Sequence, residues 1–412
     1  MGRCISNYIE VPYFLSDSVW YVRHAKDGTM TTTRMELIDW NAEYADRAPA
    51  MLAELAQLVG MESPSRDADG IRVVATHVAR ALNETGASVS IVEDHSNGPN
   101  VVARFGSSDR PILLLGHLDT VWARGTIATM PWRIEGDLAF GPGVFDMKSG
   151  VLVVVEALRG LARHGISVPV VVVFNCDEEI GSESTRALIA SHAKNARAAL
   201  VFEPSIPGGS AKTSRSGMSD YRIVVRGRAA HAGVDPEKGV SAIVAAARIV
   251  LALNDLNDLS NGLSVNPGVI KGGTRANVIA AEAIVEVDVR FRTQAQAERV
   301  HRAITGLGKS SDGALIEVTG GIDRPPFEPN PDGLALYGRA AVAARASGFE
   351  MGQGHVGGVS DGNFTAAMGV PTLDGLGPDG CGAHADHEQI LIADLPRRAA
   401  MLSRLLLDLA DS

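Results

Sequence analysis

Along the chain, apolar residues first recur at helical spacing over Trp40–Val59, where Met51, Leu52, Leu55 and Leu58 share one face. Ile71–Asn83 repeats the helical pattern, and Ala87–Glu93 reads as a strand. Pro111–Leu115, Val168–Phe174 and Ala198–Phe202 are continuous apolar runs, the pattern of parallel strands buried on both faces. Ser149–His164 reads as an apolar helix between the first two. Strands alternating with helices predict an α/β domain, a mostly parallel sheet covered on both sides.

After about Gly217 the pattern changes. Tyr221–Arg228 and Ala283–Arg290 alternate apolar and polar residues, as half-exposed antiparallel strands do. Val269–Lys271 and Leu315–Thr319 add strands, and Gly239–Leu253 and Thr293–Leu307 read as helices. This β-α-β-β-α-β order predicts a smaller, ferredoxin-like α+β unit inserted into the large domain. Pro325-Pro326 marks its exit, after which Leu334–Ala346, Asn363–Met368 and Ile392–Ala410 resume the helices of the first domain. The expected organisation is an extension over 1–35, poorly ordered; a catalytic domain over 36–216 and 328–412; and an inserted unit over 217–327.

The 412 residues are 45% apolar and 21% charged, near globular averages. The formal net charge of −10, with no basic block, disfavours a nucleic-acid partner. Apolar runs such as Val168–Phe174 fall far short of the ~20 residues that cross a membrane. Three cysteines, Cys4, Cys176 and Cys381, make no disulfide framework and point to the cytoplasm.

Chemistry gathers where predicted strands end, which is where open α/β sheets bind ligands. Gly116-His117-Leu118-Asp119 follows the first apolar strand, Asp177-Glu178-Glu179 follows the second, and Glu203 follows the third. Gly141-Pro142-Gly143-Val144-Phe145-Asp146-Met147-Lys148 precedes the helix Ser149–His164, and His384-Ala385-Asp386-His387 lies in a Gly-rich stretch near the carboxyl end. Taken singly, each is an ordinary surface or capping motif. Together they crowd carboxylates that repel one another unless a cation sits among them. Histidine and carboxylate donors without cysteine favour zinc, with manganese or cobalt as alternatives. A cysteine hydrolase is disfavoured, because Asp177 beside Cys176 raises the thiol pKa.

These ordered motifs resemble the M20 metallopeptidase family, carboxypeptidase G2-like branch, from about Asp39 to the end of the chain. The resemblance implies a co-catalytic site of two divalent metal ions, most simply Zn2+, in the large domain. It implies His117 and Glu203 on one ion, Glu179 and His384 on the other, and Asp146 bridging both. By the same resemblance Glu178 is the general base, and Asp119 orients His117, as carboxylates beside metal-bound histidines do. The Asp146-Met147 peptide matches a position that is cis in the family.

The resemblance also implies that His231 donates to the oxyanion from the other subunit of a dimer, and that the inserted unit is the lid and dimerisation domain. Arg290, Asn277 and the segment Arg324-Pro325-Pro326-Phe327 match positions that hold the substrate's carboxylate end, and an arginine fork suits a carboxylate. Gly358, in Gly357-Gly358-Val359-Ser360-Asp361-Gly362, matches a turn beside the substrate. The expected activity is release of a C-terminal, acidic, glutamate-like amino acid from an N-acyl or folate-type conjugate or a peptide. The alternative is a deacylase, dipeptidase or aromatic amidohydrolase on the same scaffold. One departure weakens the glutamate preference: the loop Ser205–Ser214 differs in length, so Lys212 does not align with the lysine that reads the glutamate side chain.

Overall fold

The three apolar runs become neighbouring strands because each buries side chains in two directions. The computed structural model describes residues 21–26, 29–34, 38–308 and 313–410. In it Ile112–His117 lies between Val170–Asn175 and Ala198–Val201, parallel to both. Ile112, Leu114, Val170, Val172 and Phe174 face one core, built with the helices Trp40–Gly60, Ser149–Arg163, Pro331–Ala346 and Asp394–Ala410. Leu113, Leu115, Val171 and Val173 face a second core, with Ile189 and Ala193 of the helix Arg186–Ala193 and Phe364 of the helix Gly362–Ala367. Continuous apolarity is the signature of that double burial.

The sheet has six strands, in the order Thr372–Leu373, Ala198–Val201, Ile112–His117, Val170–Asn175, Gly98–Phe105, Ser88–Asp94. Its first four are parallel, Gly98–Phe105 runs against them, and Ser88–Asp94 runs against Gly98–Phe105. Gly98–Phe105, which the sequence pattern does not mark, is a strand that pairs on both sides. The helix Arg186–Ala193 was also not expected.

A second sheet is antiparallel throughout, in the order Ser264–Gly272, Glu282–Phe291, Gly217–Arg226, Leu315–Arg324. One face packs Ile223, Val225, Val285 and Val287 against the helices Ala242–Asn254 and Gln294–Thr305. This core draws its residues from between Tyr221 and Ile316 and is separate from those around the large sheet. The strands here are longer than their alternation marked, and Leu315–Arg324 delivers Arg324 to the edge of the large unit. The extension expected over 1–35 lies largely outside the described residues; within it Tyr21–Lys26 and Thr29–Arg34 pair antiparallel.

Candidate metal centre

Strand register decides which side chains meet. Leu115 lies level with Val173 on one side and Val201 on the other, and His117 lies level with Asn175. Residues two or three positions beyond those levels therefore emerge at one edge of the sheet. That brings together His117, the turn Glu178–Ile180 and Glu203. Close packing keeps the level: a Cβ at Gly150, in the helix that follows the Asp146 turn, would sit 2.0 Å from the carbonyl oxygen of Phe202. Only glycine lets that helix lie against the chain leading into Glu203.

His117 is buried, and its ring nitrogens have different partners. Nδ1 is 2.8 Å from the main-chain oxygen of Asp119, which assigns the proton to Nδ1. Nε2 is 3.1 Å from Asp146 Oδ1 and 3.6 Å from Glu203 Oε1. The other Asp146 oxygen, Oδ2, lies 3.3 Å from His384 Nε2, which is itself 3.1 Å from Glu179 Oε2. One carboxylate thus faces two histidines, one oxygen to each. The peptide Asp146–Met147 is cis.

The cluster admits two overlapping triads. Ligand atoms of His117, Asp146 and Glu179 lie within 4.8 Å of one another, and so do those of His117, Glu178 and Glu203. Burial pushes the carboxyl of Glu178 well up and that of Glu203 to about 7, where the charge of Asp146 adds to the effect. Burial also raises Glu179. Asp146 is held below the usual carboxylate range in spite of burial, by His117 and His384. Hydrogen bonds to Asp146 and Glu179 raise His384 to about 10. Oε1 of Glu179 is buried without a hydrogen-bond partner. Crowded carboxylates, two imidazoles and an orphaned carboxylate oxygen are a donor set that fits divalent cations.

Asp119 does more than face His117. Its Oδ1 stands 3.5 Å from Nδ1, farther than its own main-chain oxygen. The carboxylate instead accepts the backbone N–H groups of Glu178 at 3.1 Å and Glu179 at 3.3 Å, and the Ser65 hydroxyl at 2.7 Å. It fixes the acidic turn as much as the imidazole.

Both arginines expected at the substrate are engaged within the chain. Arg290 is half-exposed and pairs with Asp288, 2.8 Å from NH2 to Oδ2. Arg324 is 1% exposed. It donates to Asp361 Oδ1 at 3.1 Å, to Ser182 Oγ at 3.0 Å and to the main-chain oxygen of Glu178 at 3.2 Å. Its NH2 also lies 3.3 Å from Glu178 Oε1. His231 and Asn277 lie side by side in the small unit: Ala232 N–H donates to the Asn277 main-chain oxygen, and His231 bridges Val278. Both side chains are exposed, and the His231 ring accepts from the Gly233 N–H at 3.1 Å. Gly358 is exposed, and its carbonyl accepts from Arg215 at 3.1 Å.

Arg215, Asp374 and Glu388 were not marked as site residues by the sequence, and Lys212 was set aside. Arg215 forks onto Asp374, 2.6 Å from Nε to Oδ2 and 3.1 Å from NH2 to Oδ1, and stands 3.6 Å from Glu203 Oε2. Asp374 follows the short edge strand Thr372–Leu373, and a missed strand conceals what lies at its end. Glu388 is fully buried, four positions after His384, and holds the Asp146 turn. In the sequence it is one more acid near a candidate ligand. Lys212, which fitted no motif cleanly, is buried on the same strand as Arg215; burial and that neighbour lower its ammonium.

Comparison with known proteins adds a family and a fold. The model of peptidase family M20/M25/M40 matches residues 113–408. Carboxypeptidase G2 of Pseudomonas sp. (strain RS-16) is 33% identical over 374 residues, covering 88% of this chain and 90% of that protein. Acetylornithine deacetylase of Proteus mirabilis (strain HI4320) is 30% identical over 52% of this chain and 58% of its own length. Among solved structures, aminopeptidase PepT from Bacillus cereus ATCC 10987 superposes with a TM-score of 0.72 at 22% identity, over 88% of this chain and 99% of that one. At that identity the likeness speaks for the fold.

Proposed function

Because the chain belongs to peptidase family M20/M25/M40 and is a hydrolase of its metallo-carboxypeptidase and amidohydrolase type, we propose that it releases a C-terminal, glutamate-like amino acid from an N-acyl or folate-type conjugate or a short peptide. The carrying observation is the sheet-edge cluster, in which Asp146 faces two histidines and Glu178 stands next to, but outside, that chain of contacts. His117 and Glu203 would hold one divalent ion, Glu179 and His384 the other, and Asp146 both. Zinc suits these donors best.

When bound, such ions supply Lewis acidity to the scissile carbonyl and make a water in the site more acidic. The chain's own groups do the rest. Glu178 takes the proton of the attacking water and returns it to the leaving amine. Asp119, through the two backbone N–H groups, and Arg324, through the main-chain oxygen and carboxylate, keep Glu178 aimed. The developing oxyanion needs a donor, which His231 would supply from a second copy of the chain.

Exposed Ile243, Val244 and Leu251 on the helix Ala242–Asn254, and Ile270 on the outermost strand of the small sheet, support pairing of two copies through that unit. Among the described residues no helix is long and apolar enough to cross a membrane. The free cysteines Cys176 and Cys381 are in keeping with a cytoplasmic setting.

Similarity to carboxypeptidase G2 supports the glutamate-like leaving group. Arg290, whose partner Asp288 is half-exposed, could exchange it for a substrate carboxylate. A deacylase, acting on N-acyl amino acids through the same centre, is the second reading, supported by the partial match to acetylornithine deacetylase. Zinc-loaded protein should be offered N-acyl glutamates, folate, N-acyl aspartates and N-acetylated neutral amino acids, with released amine measured against a chelated control. Chelator-sensitive release of glutamate supports the proposal. Chelator-sensitive turnover of neutral conjugates alone replaces it with the second reading, and activity indifferent to chelation overturns both.

A further inference from the structure

Four donors converge on Glu388. Its Oε1 accepts the backbone N–H of Phe145 at 2.8 Å and of Asp146 at 2.9 Å. Its Oε2 accepts the backbone N–H of Gly143 at 2.8 Å and Nε1 of Trp122 at 2.7 Å. The turn over 141–146 is folded so that the N–H groups of Gly143, Phe145 and Asp146 point inward while that of Val144 closes the turn on the Gly141 carbonyl, with Gly143 at a φ of 72° that favours glycine. Such a turn is an anion cradle. Here its anion is the chain's own carboxylate.

The same residue terminates the loop that bears His384. Gln389 and Ile390 pair antiparallel with Phe140 and Ala139, which leads one strand into the Asp146 turn and the other out of the His384 loop. His384 has a φ of 62°, uncommon for a residue with a Cβ, so its surroundings must hold it there. Glu388 N–H donates to the Ala385 carbonyl and closes that loop on itself. The two ends of the 3.3 Å approach between His384 and Asp146 are thus both tied to Glu388. His117 ends one strand of the large sheet and Glu203 lies two residues beyond another, so the sheet itself places both.

We propose that Glu388 is a positioning residue that keeps Asp146 and His384 in register, and so governs the affinity of the metal position that His384 completes more than that of the other, which shares only Asp146 with it. The proposal rests on the two-metal reading. Gln cannot replace Glu here: one end accepts two donors, but its NH2 faces the other two.

The test is calorimetric titration of Zn2+ into the chelator-stripped full chain, with a thermal melt alongside. The unmodified chain should take two ions. Glu388→Gln should weaken one event about 10–100-fold, the usual effect of losing a group behind a ligand, and the other distinctly less. Two unchanged events, or an equal loss in both, overturn the proposal. An unmodified chain that takes no metal overturns the two-metal reading itself, a different outcome from unchanged events in the variant. Should Glu388→Gln fail to fold, Trp122→Phe removes one donor and leaves the carboxylate. It should weaken the same event about fivefold, one hydrogen bond's worth, and unchanged binding there counts against the proposal.

Discussion

Replacing Arg324 by Met separates two roles that the sequence leaves indistinguishable. An arginine that grips the substrate's carboxylate and an arginine that holds the base both belong near the site. The structure supports the second. The guanidinium is buried and serves Asp361, Ser182 and both ends of Glu178, and it lies 4.9 Å over the Phe364 ring. Met fills similar volume and contributes no charge, so Asp361 and Glu178 lose their shared cation. Breaking one side of a buried ion pair costs about 3–5 kcal/mol. Asp361 keeps Asn175 Nδ2 at 2.7 Å and Ser182 Oγ at 2.6 Å, which puts the loss at the lower end, about 3 kcal/mol. With its main chain released, Glu178 drifts, and a misplacement of about 1 Å costs roughly 100-fold. We therefore expect kcat to fall about 100-fold, equivalent to about 2.7 kcal/mol in the barrier, with KM nearly unchanged. Arg324→Lys, a point charge in place of a fork, should recover stability better than kcat. Steady-state release of amine, read beside denaturant melts, checks both numbers. A KM raised more than tenfold with kcat preserved refutes the reasoning and returns Arg324 to the substrate.

The same assay should show Glu178→Gln losing about 10²–10⁴ in kcat while still taking up metal; loss of metal would instead make Glu178 a ligand, a place its proximity to His117 and Glu203 also permits. His231→Ala should fold normally and lose about 10²–10³ in kcat. Mixed with Glu178→Gln and allowed to exchange subunits, it should regain about a quarter of full activity if the histidine acts across a two-fold dimer, and nothing if it acts within its own chain. Stripping the metal should lower the thermal midpoint, because an ion at a hundred times its Kd adds about 2.7 kcal/mol to the folded state. Affinity should fall as pH drops, since protons compete for the imidazoles and carboxylates, and a midpoint indifferent to chelator would remove the metal from the account.

What could be read from sequence was what repeats or clusters locally. Runs such as Val168–Phe174 announce burial on both faces, and an acid or histidine just beyond a parallel strand belongs to the sheet's open edge. That logic puts His117, Glu178, Glu179 and Glu203 at one edge of the sheet, and the register of Leu115 with Val173 and Val201 explains why they meet. Long-range pairing was not legible. Gly98–Phe105 starts as a turn would, and only its two partner strands make it a strand. Arg324, Asp119 and Glu388 share a deeper reason. Their charge is visible, but much of what they bind is main chain: the carbonyl of Glu178, the amides of Glu178 and Glu179, the amides of Gly143, Phe145 and Asp146. Every residue carries those groups, so no residue type marks the recipient. A carboxylate whose donors are backbone amides on a distant loop leaves a trace only in the loop's glycines, because an inward-pointing N–H turn needs positive φ. Gly141 and Gly143 both have it. A glycine pair flanking a candidate ligand is therefore a reason to look elsewhere in the chain for the buried acid that the turn encloses.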